Sequence, residues 1–294
     1  MVRRLSDEYS DSVTVASKSA MLELFTSLKT YSDALVLVGG WVPYFLLESD
    51  QGPQWEFKHV GSIDIDLAVD PEFIGAREYA SIVEILGHRD YTPRKDRMGN
   101  IIPFSFEKSV PSPLDGKERT ISVDFLTSEP EKLARKKHRH REVQPDLLAR
   151  TTKGCSLAFR YNIEHKLSGM LPRNGETAIA FKMASLPAIL GMKGLSIGSG
   201  YREKDAYDIM ALVGFYKNGP NDVAREVSKH LDDPLLAEGI DGIRTRFRDI
   251  KAEGPTWAGL FRAPYDEAQR NTFIAEAYVL VKKFLEALEP PHKS

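Results

Sequence analysis

Apolar residues recur along this chain with two periods, and the change between them organises it. Over residues 13–29, Val15, Met21, Leu22, Phe25 and Leu28 fall at helical spacing and predict a helix. The run ALVLV at 34–38 reads as a strand that exits into Gly39-Gly40. Residues 41–47 are apolar with Pro43 near their start, where proline suits the first turn of a helix. A polar stretch, 49–57, reads as a loop. Then the period becomes two: Ile63, Ile65 and Leu67 alternate with Asp64, Asp66 and Ala68. In a strand those isoleucines face a core, and Asp64 and Asp66 project together from the other side. ISVDFL at 121–126 repeats the pattern, with Ile121, Val123 and Phe125 on one face and Asp124 on the other.

The pattern further predicts a helix over 76–86, a charged, turn-rich connection over 87–100, and strands over 101–106, 119–126 and 176–181. From Ser185, an N-cap with proline two residues on, the period is helical. Helices are expected over about 204–216, 221–231, 235–251 and 265–288. KAEGPTW at 251–257 reads as a linker, because Gly-Pro is a strong breaker signal. The expected fold is α+β: a mixed sheet with helices over residues 1–184, then a helical C-terminal domain over 185–294.

The chain has 294 residues, 42% hydrophobic and 28% charged, as in globular proteins, with a formal net charge of −2. A global basic signature for nucleic acid is excluded, so any such surface is local. One basic run, KLARKKHRHR at 132–141, offers Arg135, Lys136, Lys137, Arg139 and Arg141 as an RNA-binding stretch; the competing reading is a solvated loop. Few aromatics interleave it, so the run itself carries no base-stacking platform. The single cysteine, Cys155, has no internal disulfide partner and sits among apolar neighbours, which favours packing. No apolar segment follows Arg3-Arg4, and no run approaches the ~18 apolar residues of a membrane span, so a cytoplasmic protein with no membrane partner is expected.

Aspartate is depleted in strands, so two on one strand face are informative. Paired carboxylates repel unless a cation sits between them, and Mg²⁺ is commonly held by one or two carboxylates plus substrate phosphates. Gly39-Gly40 permits close backbone approach, to a phosphate for example, or simply makes a tight turn. Gly194-Leu195-Ser196-Ile197-Gly198 matches the nucleophile-elbow pattern, but a helical segment leads into it where a strand is required, so a serine hydrolase is set aside. There is no P-loop motif and no zinc-ligand spacing.

Gly-Gly closing one strand, Asp-x-Asp on a second and a single Asp on a third together resemble the nucleotidyltransferase superfamily typified by DNA polymerase β. Within it the chain is similar, over about residues 35–212, to the AbiEii/AbiGii-type nucleotidyltransferases, many of which are toxins of toxin–antitoxin or phage-defence pairs. Their lysine on one helix, followed by a basic residue–Asp–x–x–Asp start to the next, is matched by Lys193 and by Lys204-Asp205-Ala206-Tyr207-Asp208. The resemblance implies a polymerase-β-like sheet, a nucleoside triphosphate as substrate and one or two Mg²⁺ on Asp64, Asp66 and Asp124. It implies Gly39, Gly40 and Ser62 against phosphates, Lys193 neutralising phosphate charge, and Asp205 or Asp208 orienting Lys193 or the base and ribose. Asp64, Asp66, Asp124, Lys193 and Asp208 are then the catalytic set. The implied acceptor is RNA, a tRNA 3′ end, with a cognate antitoxin as partner. Alternatives are a protein or small-molecule acceptor, or a non-catalytic nucleotide- or RNA-binding relative. Two departures stand out: the gap from Gly40 to Asp64 is long, and Lys58-His59 stands where an arginine is frequent.

Overall fold

The computed structural model describes residues 5–74, 80–130, 140–173 and 175–289. Two compact units result. A sheet unit holds Tyr9–Trp41 and Gly61–Ala184; a helical unit holds residues 5–8, Val42–Val60 and everything from Ser185 on. The helical unit thus draws on two separate stretches of chain, 42–60 and the residues from Ser185 on.

The sheet unit is α+β with a mixed sheet. Its strands are β1 (Leu35–Val38), β2 (Ile65–Val69), β3 (Thr92–Lys95), β4 (Ile101–Pro111), β5 (Glu118–Thr127), β6 (His140–Gln144), β7 (Leu147–Thr151), β8 (Asn162–Met170) and β9 (Glu176–Ala184). They run in the order β3-β4-β5-β2-β1-β9-β8, and β7, carrying β6, pairs with β5. The pairs β2–β5, β1–β9 and β5–β7 are parallel. The whole of β1 is buried, which is why it reads as an unbroken apolar run.

Helix α1 (Asp11–Ser27), capped by the Ser10 hydroxyl, covers one sheet face. Lys108 stands opposite Ile121 in the β4–β5 register, and its Nζ lies 2.5 Å from Glu23 Oε2 on α1. Ile121, Val123 and Phe125 therefore point toward α1, and the strand aspartates point away from it. Phe25 of α1 stacks on Phe181 of β9, ring centres 4.0 Å apart.

Three expectations for this unit change. In place of one helix over 76–86 the described residues show α3 (Pro71–Ile74) and α4 (Ile82–Gly87), the latter opened by a Ser81–Glu84 capping box; residues 75–79 lie outside the described residues. The connection over 87–100 contains β3. Residues 140–170 add β6, β7, α5 (Cys155–Arg160) and β8, none of which the periodicity announces. Cys155 is buried in α5, and burial pushes its thiol up to about 12, as suits a packing residue.

The helical unit contains most of α2 (Trp41–Asp50), together with α6 (Leu186–Ser199), α7 (Glu203–Phe215), α8 (Pro220–Ser228), α9 (Pro234–Arg246), α10 (Glu253–Arg262) and α11 (Glu267–Leu288). The expected linker at 251–257 is instead the start of α10. Pro255 falls in the first turn, where a missing N–H costs no helical bond, and a Cβ on Gly254 would meet the Phe247 ring at 2.5 Å. The glycines of the nucleophile-like motif have a packing role: a Cβ on Gly194 of α6 would lie 2.0 Å from the Gly239 carbonyl of α9. The stretch 51–60 is a strap along α7. Gly52 N and Trp55 Nε1 both donate to the Lys217 carbonyl, each at 3.0 Å, and Phe57 stacks on Phe215 at 4.1 Å. No described helix is long and apolar enough to cross a membrane.

The Lys108–Glu23 pair is almost fully buried. Removing one partner strands a charge, so Lys108→Met is expected to cost about 3 kcal/mol in urea denaturation. Adding Glu23→Leu, which removes the stranded charge, should recover much of that loss.

Candidate functional site

The carboxylates are assembled by strand register. Asp66 of β2 and Asp124 of β5 are direct partners in a parallel pair, so their side chains leave the same face from strands about 4.8 Å apart. Asp64 precedes β2 and accepts a short hydrogen bond from the Ser122 hydroxyl, two residues before Asp124 and on the same face. Asp124 Oδ1 accepts from Ser105 Oγ, its register partner on β4, at 2.5 Å. Burial raises the Asp124 carboxyl above its ordinary range; the charge of Asp64 adds to this, while the Ser105 bond, Arg150 and Arg94 oppose it.

Gly39 explains how Asp66 fits. It follows β1 with φ +73°, and a Cβ there would lie 2.0 Å from Asp66 Oδ2. The close backbone approach expected at Gly39-Gly40 is thus an approach to Asp66. Ser62 is buried, and its hydroxyl donates to the Asp64 carbonyl at 3.2 Å.

The donor chemistry suits Mg²⁺: three carboxylates, all hard oxygen ligands, lie on one face. Two are register neighbours, and the third is close enough to push Asp124 upward, a strain that a divalent cation relieves. Among the described residues no three His, Cys, Asp or Glu side chains are already gathered as a metal cage. The fit therefore rests on the Asp66–Asp124 pair, with water and phosphate oxygens completing the shell.

In the helical unit, Lys193, Asp205 and Asp208 do come together. Lys193 Nζ on α6 lies 2.8 Å from Asp205 Oδ1 and 2.7 Å from Asp208 Oδ2, both on α7. Asp205 Oδ2 accepts from Ser196 Oγ at 2.7 Å. Asp208 Oδ1 accepts from Lys204 Nζ at 2.8 Å and from His59 Nε2 at 2.9 Å. Burial alone would raise Asp208, but Lys193, Lys204 and the His59 bond hold it far below the carboxylate range. Burial would lower Lys193; Asp205 and Asp208 outweigh it and keep the ammonium charged. Lys204 is lowered by burial and by Lys193, against the pull of Asp208. Burial lowers His59 to about 4, more than its bond to Asp208 raises it. The imidazole is neutral at pH 7, and because Asp208 can only accept, Nε2 carries the hydrogen.

His59 alone in sequence fits a structural and a substrate role equally. The structure assigns it to this buried group, at the end of a strap whose alternate residues Trp55, Phe57 and His59 all pack on α7. That period of two was the available signal, within a stretch otherwise dominated by turn residues. Of the basic run, Arg141 lies half-buried in β6; Arg135, Lys136, Lys137 and Arg139 lie outside the described residues.

Two outcomes are expected. Gly39→Ala should lower the melting temperature, since a non-glycine residue at positive φ costs about 1–2 kcal/mol before the clash with Asp66 is counted. Asp66→Ala should partly restore it by vacating the contested space, a coupling a double-mutant cycle measures. The second concerns pH. His59 folds with its pKa below the unfolded value of 6.5, so the unfolded chain takes the proton first. Its contribution is complete above pH 6.5 and declines as pH falls toward 4. In urea denaturation at stepped pH, His59→Gln, which keeps a donor for Asp208 but cannot titrate, should lose less stability over that window than the unaltered chain. Parallel profiles would contradict a neutral His59.

No protein-family model matches the chain, and no curated protein matches it. Among solved structures, the crystal structure of JHP933 from Helicobacter pylori aligns over 95% of this chain and 94% of that one, at 12% identity and a TM-score of 0.40. At that level of likeness nothing about this chain's chemistry follows from it.

Proposed function

We propose that this protein is a Mg²⁺-dependent nucleotidyltransferase. The observation that carries the reading is the register pairing of Asp66 with Asp124 on one sheet face, with Asp64 beside them and Gly39 making room. Such a face suits a triphosphate bound through a divalent cation and an acceptor hydroxyl brought to it. The hydroxyl oxygen bonds to the α-phosphorus, the bond from that phosphorus to the bridging oxygen breaks, and pyrophosphate leaves. Mg²⁺, when bound, neutralises charge on the attacking and leaving oxygens. Asp66 would hold it, with Asp64 and Asp124 beside it as further oxygen ligands. Asp124, raised by burial, takes the acceptor hydroxyl's proton or completes the metal site. Gly40 and the Ser62 hydroxyl contribute phosphate contacts. Lys193 engages two carboxylates, and with Asp205 and Asp208 it fixes α6 against α7; a phosphate-neutralising role for it rests on the family resemblance alone.

The acceptor class we favour is RNA, supported by the basic run that ends at Arg141. A toxin acting on a tRNA 3′ end and restrained by an antitoxin is the biological form of that proposal.

The test is incubation with Mg²⁺, each labelled NTP in turn and total tRNA, alongside Asp66→Asn. The expected result is label entering RNA from one NTP and lost by about a hundred- to a thousandfold in the variant, the order of effect of removing one electrostatic stabiliser of the transition state. Label on a protein or small molecule keeps the chemistry and replaces the acceptor. No transfer, with no Mg²⁺-dependent NTP binding, overturns the proposal.

A further inference from the structure

Beyond Asp124 the same sheet face carries a second group of side chains. Leu126, two residues on from Asp124 and on its face, is the register partner of Arg150 on β7. Arg150 is in turn the register partner of His140 on β6. Arg150 and His140 therefore stand side by side on the carboxylate face. Phe104 joins them from β4, whose register with β3 shifts between Phe106 and Ile101 so that strict alternation does not hold there: its ring centre is 5.3 Å from the Arg150 guanidinium carbon and 5.3 Å from the His140 ring centre.

Arg150 is half-buried, yet its guanidinium makes no hydrogen bond or ion pair with another described residue. Arg94, near the same carboxylates, has Glu107 at 4.0 Å. An aromatic ring holds a guanidinium in place through its face and leaves the edge donors unspent. Those donors form a planar fork that matches two phosphate oxygens.

We propose that Phe104, His140 and Arg150 form a phosphate-binding site on the carboxylate face, with Arg150 as the ligand and the two rings as its support. The phosphate belongs either to the acceptor strand or to the nucleoside triphosphate. That choice of source rests on the nucleotidyl-transfer reading; the site itself does not.

The test measures equilibrium binding by the full chain, without turnover. The probes are a short fluorescein-labelled single-stranded RNA, titrated at several salt concentrations, and inorganic triphosphate. Arg150→Met is expected to weaken one or both by about tenfold or more, the worth of a charge-assisted hydrogen bond. Arg150→Lys, a point charge without the fork, should recover part of the loss. Phe104→Leu, which keeps the guanidinium and removes its support, should give a smaller loss and stands in if Arg150→Met does not fold. Loss confined to RNA, with a shallower salt dependence, assigns the acceptor phosphate; loss confined to triphosphate assigns the donor. Unchanged binding of both probes in a folded Arg150→Met protein overturns the site. Asp66→Asn keeps the two readings apart: weakened phosphate binding on replacing Arg150, in a protein that transfers no nucleotide with or without Asp66, retains the site and rejects the transferase.

Discussion

Like charge held close on the middle of a sheet is the constraint to which the sheet unit answers. Two carboxylates on neighbouring strands about 5 Å apart repel by about 3 kcal/mol at an effective dielectric near 20. The fold keeps them together with local devices. Hydroxyls of Ser105 and Ser122 donate to Asp124 and Asp64. Gly39 withdraws its side chain so that Asp66 has somewhere to lie. Arg150 and Arg94 supply distant positive charge. The opposite face is apolar and pinned on α1, which stops the register from slipping: a one-residue shift of β5 would bury Asp124 under α1 and expose Val123. The same alternation that builds the core therefore sets the spacing of the chemistry.

The helical unit handles buried charge differently. Lys193 and Lys204 are matched by Asp205 and Asp208, with a neutral His59 as a further donor, so the group carries no net charge. Burying such a group gains little stability over an apolar packing of the same volume, but breaking it strands a charge. It works as a registration device. It ties α6 to α7 and, through His59, fixes the end of the strap, whose aromatic residues occupy successive places along α7. The long Gly40-to-Asp64 gap holds α2 and then this strap, whose His59 end is committed to α7.

Most elements were legible in the sequence: β1 as an apolar run, β2 and β5 by strict alternation, the starts of β4 and β9, and α1, α2, α6 to α9 and α11 by helical period. β8 escaped notice because, apart from the buried Leu167, it is partly or fully exposed along its length, so no hydrophobic alternation marks it. β3 is similarly exposed and rich in charge and proline. α10 was hidden by Gly254-Pro255, a pair that breaks a chain in isolation but is compatible with a helix start when Phe247 demands a glycine beside it. The Asp64–Asp66–Asp124 grouping could be read in advance because parallel strands of equal alternation bring like positions to one face. The Phe104–His140–Arg150 group could not. It depends on β7 taking over beside β5 where its β4 pairing ends, and no local pattern specifies which strand does that.

Gly39 shows how a correct sequence signal can have a different physical cause. A glycine pair after a strand invites the inference that backbone amides meet phosphate. Here the positive φ and the 2.0 Å approach of a notional Cβ to Asp66 Oδ2 already require glycine with nothing bound. The glycine therefore testifies to the carboxylate first, and to phosphate only through it. Any residue larger than glycine at 39 would displace the Asp66 side chain itself, which makes the strand exit and the aspartate strand a single structural unit. On the proposed reading, a nucleotide's phosphates would be drawn to that unit by a divalent cation held there more than by the amides of the turn, since such an ion would be the larger local charge.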